Sequence, residues 1–424
     1  MEYLLHYTWK HKLFPLGGLL TTDGEVVEVI DPGLRNRDAG PDFFNAKLKV
    51  GGTMWVGNVE IHTRSSEWYA HGHHTDPAYD NVVMHVVEDA DRQVINSNGR
   101  ILPTLVLPVP ARIRESYDQL LRTDEYPRCH AVIPTLSRLM VHSFLSALHA
   151  ERLGQKAERV ERERMKSGLN WEDAFFVTLS RNFGFGVNGD SFERWARHIP
   201  LNAVAKHRDN LFQVEAIFFG QAGLLEEIGD DKYYLQLQKE YRYLAHKFEL
   251  SPMDPVCWRF LRMRPANFPH VRLAQLAYIY HKGESLLSRL LEVQTIKEMY
   301  KLLEAGISEY WQTHYTFMHD SPKKRKQLSL TTRRLIVINT VCPFFYAYGR
   351  YKDDEKLCNK AISLLEGMNA ENNHIIRIWE QCGLKVKSAA DSQALIQLKR
   401  EYCDVKKCLH CRFGYEYLKK RTND

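Results

Sequence analysis

Asp42 and Glu60 bracket the segment GPDFFNAKLKVGGTMWVGNVEIH, residues 40–62, in which Gly51 and Gly52 mark a tight hairpin turn. Folding at that pair brings the two carboxylates to one end of two neighbouring strands, where together they can hold a divalent cation. Register decides whether they meet, because strand side chains alternate faces with period two. A three-residue loop sets position 42 directly across from 60. A two-residue loop at Gly51 and Gly52 pairs 42 with 61 and turns Glu60 to the opposite face, unless a bulge intervenes. Glu60 and His62 share a face, so a metal held by the acids has an imidazole beside it. Glu28 and Asp31, at the end of the preceding strand, are candidate accessory ligands. The plain alternative is that Asp42 and Glu60 are polar residues on the solvent face of a hairpin, with Pro41 entering a strand.

A second group lies near the other end of the chain. Cys403, Cys408 and Cys411 in EYCDVKKCLHC have the spacing C-x4-C-x2-C, which lets two thiolates face one ion and a third join them. Of the fourth ligands available, Cys382 leads, His410 follows, and Cys342 and Cys129 are more remote. Zn2+ is the default occupant; an iron–sulfur cluster is the rival, since this spacing plus a distant cysteine also suits a cluster. A redox pair or free thiols are the alternatives, and Cys257 and Cys358 read as buried apolar residues.

Histidines are dense after the hairpin: His71, His73 and His74 follow Trp68 and Tyr69, and His85 sits in the next apolar run. A zinc site from His71 and His73 is weighed against surface histidines on a loop at Gly72, and the surface reading is preferred. Arg64 is placed to meet a phosphate. Arg262, Arg264 and Arg272, interleaved with Trp258, Phe260 and Phe268, suit phosphate contact plus base stacking; a helix–turn–helix whose arginines pair with acids is the preferred account. KKRK at 323–326, with Arg333 and Arg334, is a local basic patch best read as a solvated loop.

The elements that must position these groups divide the chain. Its 424 residues exceed the size of one core, and 44% hydrophobic residues with 26% charged ones exclude disordered, collagen-like and disulfide-dense classes. A formal charge of +6 permits nucleic-acid binding without requiring it. Residues 1–110 alternate short apolar runs with turn signals in the order α, β, β, β, α, β, the second helix expected over about 76–81 behind an Asp76 or Thr75 cap. Residues 111–400 carry helical periodicity, including 134–166, 171–183, 209–228, 232–248, 271–281 and 285–316. The Cys-rich tail, 401–424, is expected to pack on that helical domain. The fold class is α+β: a mixed α/β domain followed by a large all-α domain. The opening segment lacks the apolar core of a secretory signal, and the apolar stretch 335–348 is too short to span a bilayer. Both point to a cytoplasmic protein with no membrane partner.

Asp42 after Pro41, then a hairpin, then Glu60-Ile61-His62, then a helix and a strand, resembles the core of the PD-(D/E)XK nuclease superfamily over residues 30–95. The whole chain also resembles an uncharacterised bacterial family of about this length, from which no function follows. The first resemblance implies a restriction-endonuclease-like domain that binds Mg2+ or Mn2+ through Asp42, Glu60 and the Ile61 carbonyl. His62 then stands where that superfamily has lysine, and the implied activity is metal-dependent hydrolysis of nucleic-acid phosphodiesters. The substitution at His62 also allows a vestigial domain in a non-catalytic scaffold that binds nucleic acid or protein. An enzyme of another class, built on the His-rich loop and a transition metal, is the third reading.

Overall fold

The computed structural model describes residues 2–15, 17–36, 38–123, 126–168, 170–281 and 283–420. Its contacts group into two compact units, one of residues 1–144, 374–385 and 398–424, the other of residues 145–373 and 386–397. The first unit therefore reaches past residue 110. It also takes in the tail expected on the helical domain.

The first unit opens with helix α1 (Glu2–Lys10), followed by strands β1 (Leu19–Leu20), β2 (Val26–Asp31), β3 (Leu34–Arg35), β4 (Phe43–Val50) and β5 (Thr53–Arg64). The short helix α2 (Glu67–Ala70) and two 3-10 turns lead to β6 (Val82–Asp89) and then β7 (Thr104–Val106). The expected helix at 76–81 is only a 3-10 turn, Pro77–Tyr79, although Asp76 does cap it by accepting from the Ala78 amide. Strand order is β1-β2-β4-β5-β6-β7, with β3 on β4. The pairs are antiparallel up to β5, and β5-β6 and β6-β7 are parallel. A bridge from Thr21 to Leu105, with the Thr22 amide 2.8 Å from the Thr104 carbonyl, ties the first edge of the sheet to the last.

One face of the sheet buries Val27, Val29, Leu48, Val59, Ile61, Met84 and Val86 together with Leu5 and Trp9 of α1. The Trp9 indole N–H donates to the Pro32 carbonyl at 3.0 Å and fixes the helix in place. The opposite face of β5 and β6 is covered by the 65–102 segment through Trp68, Tyr79, Val94 and Leu102. Alternation along β5 thus sends Val59 and Ile61 to the first core and Glu60 and His62 to the second side.

Register within the β4-β5 hairpin changes partway. Gly51 and Gly52 both have positive φ and close a two-residue turn that pairs Val50 with Thr53 and Ala46 with Gly57. Between Ala46 and Phe43 the register shifts, so Phe43 pairs with Val59. Asn45, at φ 55°, is the left-handed residue of this bulge. Even-numbered residues of β4 face the core above the bulge, and odd-numbered Phe43 does so below it.

The second unit is helical, with a core that includes Phe175, Phe218, Trp195, Trp311 and Phe344. Several expected helices are there with close bounds, Trp171–Phe183 and Lys232–Phe248 among them. The 285–316 stretch is instead three short helices, Leu286–Glu292, Ile296–Leu302 and Glu309–Thr313, the second started by a Thr295–Glu298 capping box. In the apolar 335–348 segment a π turn, Val337–Val341, precedes Pro343. Proline leaves the carbonyl one turn before it without a donor. The Asn182 side chain satisfies that Asn339 carbonyl at 3.2 Å. Among the described residues no helix is long and apolar enough to cross a membrane.

The bulge makes Asn45 separable from its neighbours by mutation. Asn45→Gly should keep the fold, whereas Asn45→Val, which pays the left-handed penalty of about 1–2 kcal/mol, should lower the denaturant midpoint measured by circular dichroism. Equal midpoints for the two variants would contradict the assigned conformation.

Candidate metal centre

Below the bulge the two acids lock onto each other's backbone. The Asp42 amide donates to Glu60 Oε2 at 3.0 Å and the Ile61 amide donates to Asp42 Oδ2 at 3.0 Å. Each carboxylate thereby takes the place of a ladder carbonyl, and a two-residue turn plus a bulge brings both acids to the same end of β4 and β5.

Glu60 faces two imidazoles. Its Oε1 lies 3.3 Å from His73 Nε2 and 3.6 Å from His62 Nε2. His62 Nε2 is 3.1 Å from His71 Nδ1, and His62 Nδ1 is 2.9 Å from His85 Nε2. Among the described residues, His62, His71 and His73 form the only group of three or more His, Cys, Asp or Glu whose ligand atoms all lie within 4.8 Å of one another. His62 and Glu60 come from β5, and His85 is Glu60's partner on β6. His71 and His73 come from the covering segment, where Trp68 packs edge-on against His73 and Tyr79 stacks on it at 3.8 Å. Gly72, at φ 77°, permits the tight turn between the two histidines. His73 is buried while His71 remains exposed, so the pair lines an inward site with one open side. The reading of these histidines as surface residues holds for exposed His71 and fails for buried His73.

Burial governs the protonation of this group. It lowers His62 to about 2, helped by His85, His73, His71 and His6, and lowers His85 to about 3, helped by His73. His6 of α1, 3.4 Å from Asp42 Oδ2, is lowered to about 4 by burial and then by Arg35. Asp42 is raised to about 7, first by burial and then by Glu60 beside it. Neutral imidazoles and crowded carboxylates are the states that a cation favours.

The donor set fits a transition metal. Bonds of about 2.0–2.1 Å in a tetrahedral zinc site place ligand atoms roughly 3.3–3.4 Å apart, and the contacts above span 3.1–3.6 Å. With Nδ1 donating to His85, His62 offers its Nε2 lone pair to the site, the arrangement in which an outer partner fixes a ligand's tautomer. His85 Nδ1 is buried without a hydrogen-bond partner. Imidazole-rich sites select Zn, Mn, Fe or Co over Mg, which prefers all-oxygen sets.

Other expected residues lie elsewhere. Glu28 is exposed opposite Lys49, and Asp31 Oδ1 accepts from the Gly33 amide. Arg64 is at the exposed end of β5, its Nε 3.2 Å from Asp89 and 3.6 Å from Asp91. In the helical unit Arg262 and Arg264 are exposed, but Arg272 is buried, bonded to Gln275 at 2.9 Å and Asn267 at 2.6 Å beneath the Phe185 ring. It pairs with amides rather than acids and is removed from any phosphate. Of the KKRK run, Lys326 is buried and donates to the carbonyls of Trp311, Gln312 and His314. Cys382 is not among the residues that surround Cys403, Cys408 and Cys411; Cys129 is.

Residues 2–374 match the model of the protein family of unknown function DUF2851, and the chain belongs to that family. No curated protein and no solved structure matches it.

Two measurements probe the centre. Zn2+ or Co2+ titrated into the protein should bind tightly, His85→Ala should weaken that affinity about 10–100-fold as loss of an outer partner does, and His73→Ala should weaken it further. Unchanged affinity in His73→Ala would remove the loop from the site. Separately, His62 and His85 have folded pKa values below the unfolded 6.5. The unfolded chain therefore takes up protons that the metal-free fold refuses, and the stability these groups contribute is lost as pH falls below about 6.5. Each should contribute a slope of up to about 1.4 kcal/mol per pH unit, and His85→Gln should flatten the stability profile between pH 4 and 6 by about that much.

Proposed function

We propose that this member of the DUF2851 family is a metal-dependent hydrolase that cleaves phosphodiesters of a nucleic acid at the Asp42, Glu60, His62, His71 and His73 centre. The observation that carries the reading is the convergence of His62, His71 and His73 beside the sheet, with Glu60 against His62 and His73 and accepting from the Asp42 amide. A divalent ion held there supplies Lewis acidity toward a phosphoryl oxygen and an attacking water. Mn2+ or Zn2+ suits these donors better than Mg2+.

The protein's own groups have separable parts. Glu60 and His73 are ligands. His62, kept neutral by burial and adjacent to His85, serves as a ligand through Nε2, and does not reproduce the permanent positive charge of the lysine in the resembling superfamily. Arg64 sits two residues on, with an exposed guanidinium whose exposed ion pairs are cheap to exchange for a phosphate. The phosphodiester assignment draws on the resemblance to PD-(D/E)XK nucleases. It is supported by the succession α1, β2, β4, β5, α2, β6, with β5 and β6 parallel.

Labelled DNA and RNA, single- and double-stranded, incubated with Mn2+, Zn2+, Mg2+ or EDTA provide the test. Cleavage should require Mn2+ or Zn2+, and Glu60→Gln should lower kcat by more than the roughly 10–100-fold typical of an outer partner. Equal turnover by wild type and Glu60→Gln would refute the site. Salt-dependent binding without turnover, indifferent to EDTA, would favour the non-catalytic scaffold.

A further inference from the structure

Cys403, Cys408 and Cys411 fall within nine residues and Cys129 lies 274 positions before the first of them, yet all four line one pocket, with Arg128, Tyr402 and Gly414. The pocket holds about 310 Å3 of atom-free space, part of it open to solvent. All eight cysteines of the chain are free thiols, so these four are not consumed by disulfides. Their carriers are short, closely hydrogen-bonded turns. Cys129 precedes the 3-10 turn His130–Thr135, Cys403 ends the π turn Lys399–Cys403, and Cys411 precedes the helix Arg412–Lys420. Gly414 is required by the packing, since a Cβ there would sit 2.2 Å from the Cys408 carbonyl.

The surroundings are those of a thiolate ligand set. The Arg128 guanidinium donates to the Cys403 carbonyl at 3.0 Å, and the amides of Phe413 and Gly414 face the Cys411 sulfur. Burial raises the thiols of Cys403 and Cys411, to about 11 and about 12. Without a cation the pocket holds neutral thiols; ligation displaces their protons.

Spacing selects the occupant. A tetrahedral zinc with Zn–S bonds near 2.3 Å holds its sulfurs about 3.8 Å apart. No three of these sulfurs lie within 4.8 Å of one another, because the only such group of ligand atoms among the described residues is the histidine trio. Four cysteines held wider than one ion requires, around a pocket, match a multinuclear centre, in which several irons and sulfides lie between the ligands. We propose that Cys129, Cys403, Cys408 and Cys411 bind a [4Fe–4S] cluster, with Cys129 as the distant fourth ligand in place of Cys382. The cluster would join the 126–135 segment to the C-terminal helix within the first unit.

The test uses the full-length protein, purified anaerobically and, in parallel, reconstituted with ferrous iron, sulfide and thiol. About four iron and four acid-labile sulfide per chain are expected, with a reduced-state electron paramagnetic resonance signal. Cys129→Ser and Cys408→Ser should each lose most of the iron, and Cys382→Ser should retain it. One zinc per chain without iron, absence of iron and sulfide from both wild-type preparations, or full iron content in the Cys408→Ser variant would overturn the proposal. If Cys129→Ser does not fold, wild-type stoichiometry and Cys408→Ser still decide. None of these readouts depends on hydrolytic activity.

Discussion

The change of register at Asn45 is the constraint from which the N-terminal site follows. A hairpin closed by Gly51-Gly52 and left regular would pair residue 42 with 61 and send Asp42 and Glu60 to opposite faces. One left-handed residue resets the parity of β4, so that Phe43 joins Val59 in the first core and Asp42 turns outward beside Glu60. Packing and chemistry are thus settled by the same residue. A bulge that failed to form would expose Phe43 as well as disperse the carboxylates, so the hydrophobic gain of burying Phe43 holds the acids together.

Once the acids are fixed, the sheet supplies the rest through pairing. Glu60, His62 and His85 share one face because β5 and β6 are parallel and partners face the same way. Trp68 and Tyr79 then bury His73 against Glu60. The arrangement is costly for a protein without a cation: buried imidazoles cannot protonate and Asp42 is driven toward the neutral acid. Buried titratable groups also occur singly in the helical unit, at His270, Glu215 and Lys156, but here several imidazoles and two carboxylates are crowded together with one imidazole left open to solvent, the arrangement expected of a binding site.

Much of this was legible in the chain, and the gaps have physical causes. The strands, the hairpin and the facing of Glu60 with His62 follow from period-two alternation and a Gly-Gly turn. The bulge does not, because Asn45 looks like any polar strand residue until its φ is known; its tolerance for the left-handed region is the only local sign. The histidines of the covering loop were visible as a cluster, but composition cannot say that Trp68 and Tyr79 turn His73 inward. A lone His85 in the apolar run NVVMHVVED was the better clue, since an imidazole in a buried strand needs a partner. Arg272 and Lys326 are misread in the opposite sense: Arg272 reads as a phosphate contact or an acid's partner and the KKRK run as a solvated loop, yet amide and carbonyl partners let both be buried. The fourth cysteine failed for a related reason. Cys382 is nearer in sequence, but the helix His374–Gln381 leaves it outside the pocket that Cys129 enters.

The two candidate centres differ in the way their donors are assembled, and this bears on their roles. The histidine–carboxylate site is built on a sheet, from strand residues whose spacing is set by backbone pairing and by one buried loop, with an open ligand at His71. Such a frame fixes its donors by backbone pairing and leaves His71 exposed to solvent. The cysteine site is assembled from turns whose partners are few: a guanidinium on one carbonyl and two amides at one sulfur. Its ligands come from two ends of a chain segment with 273 residues between Cys129 and Cys403. A cross-link closing so long a loop restricts the unfolded chain far more than a local contact does. On the proposals made for the two centres, the length of that loop suits the cysteine centre to holding the first unit together, and the proposed reaction belongs to the site on the sheet.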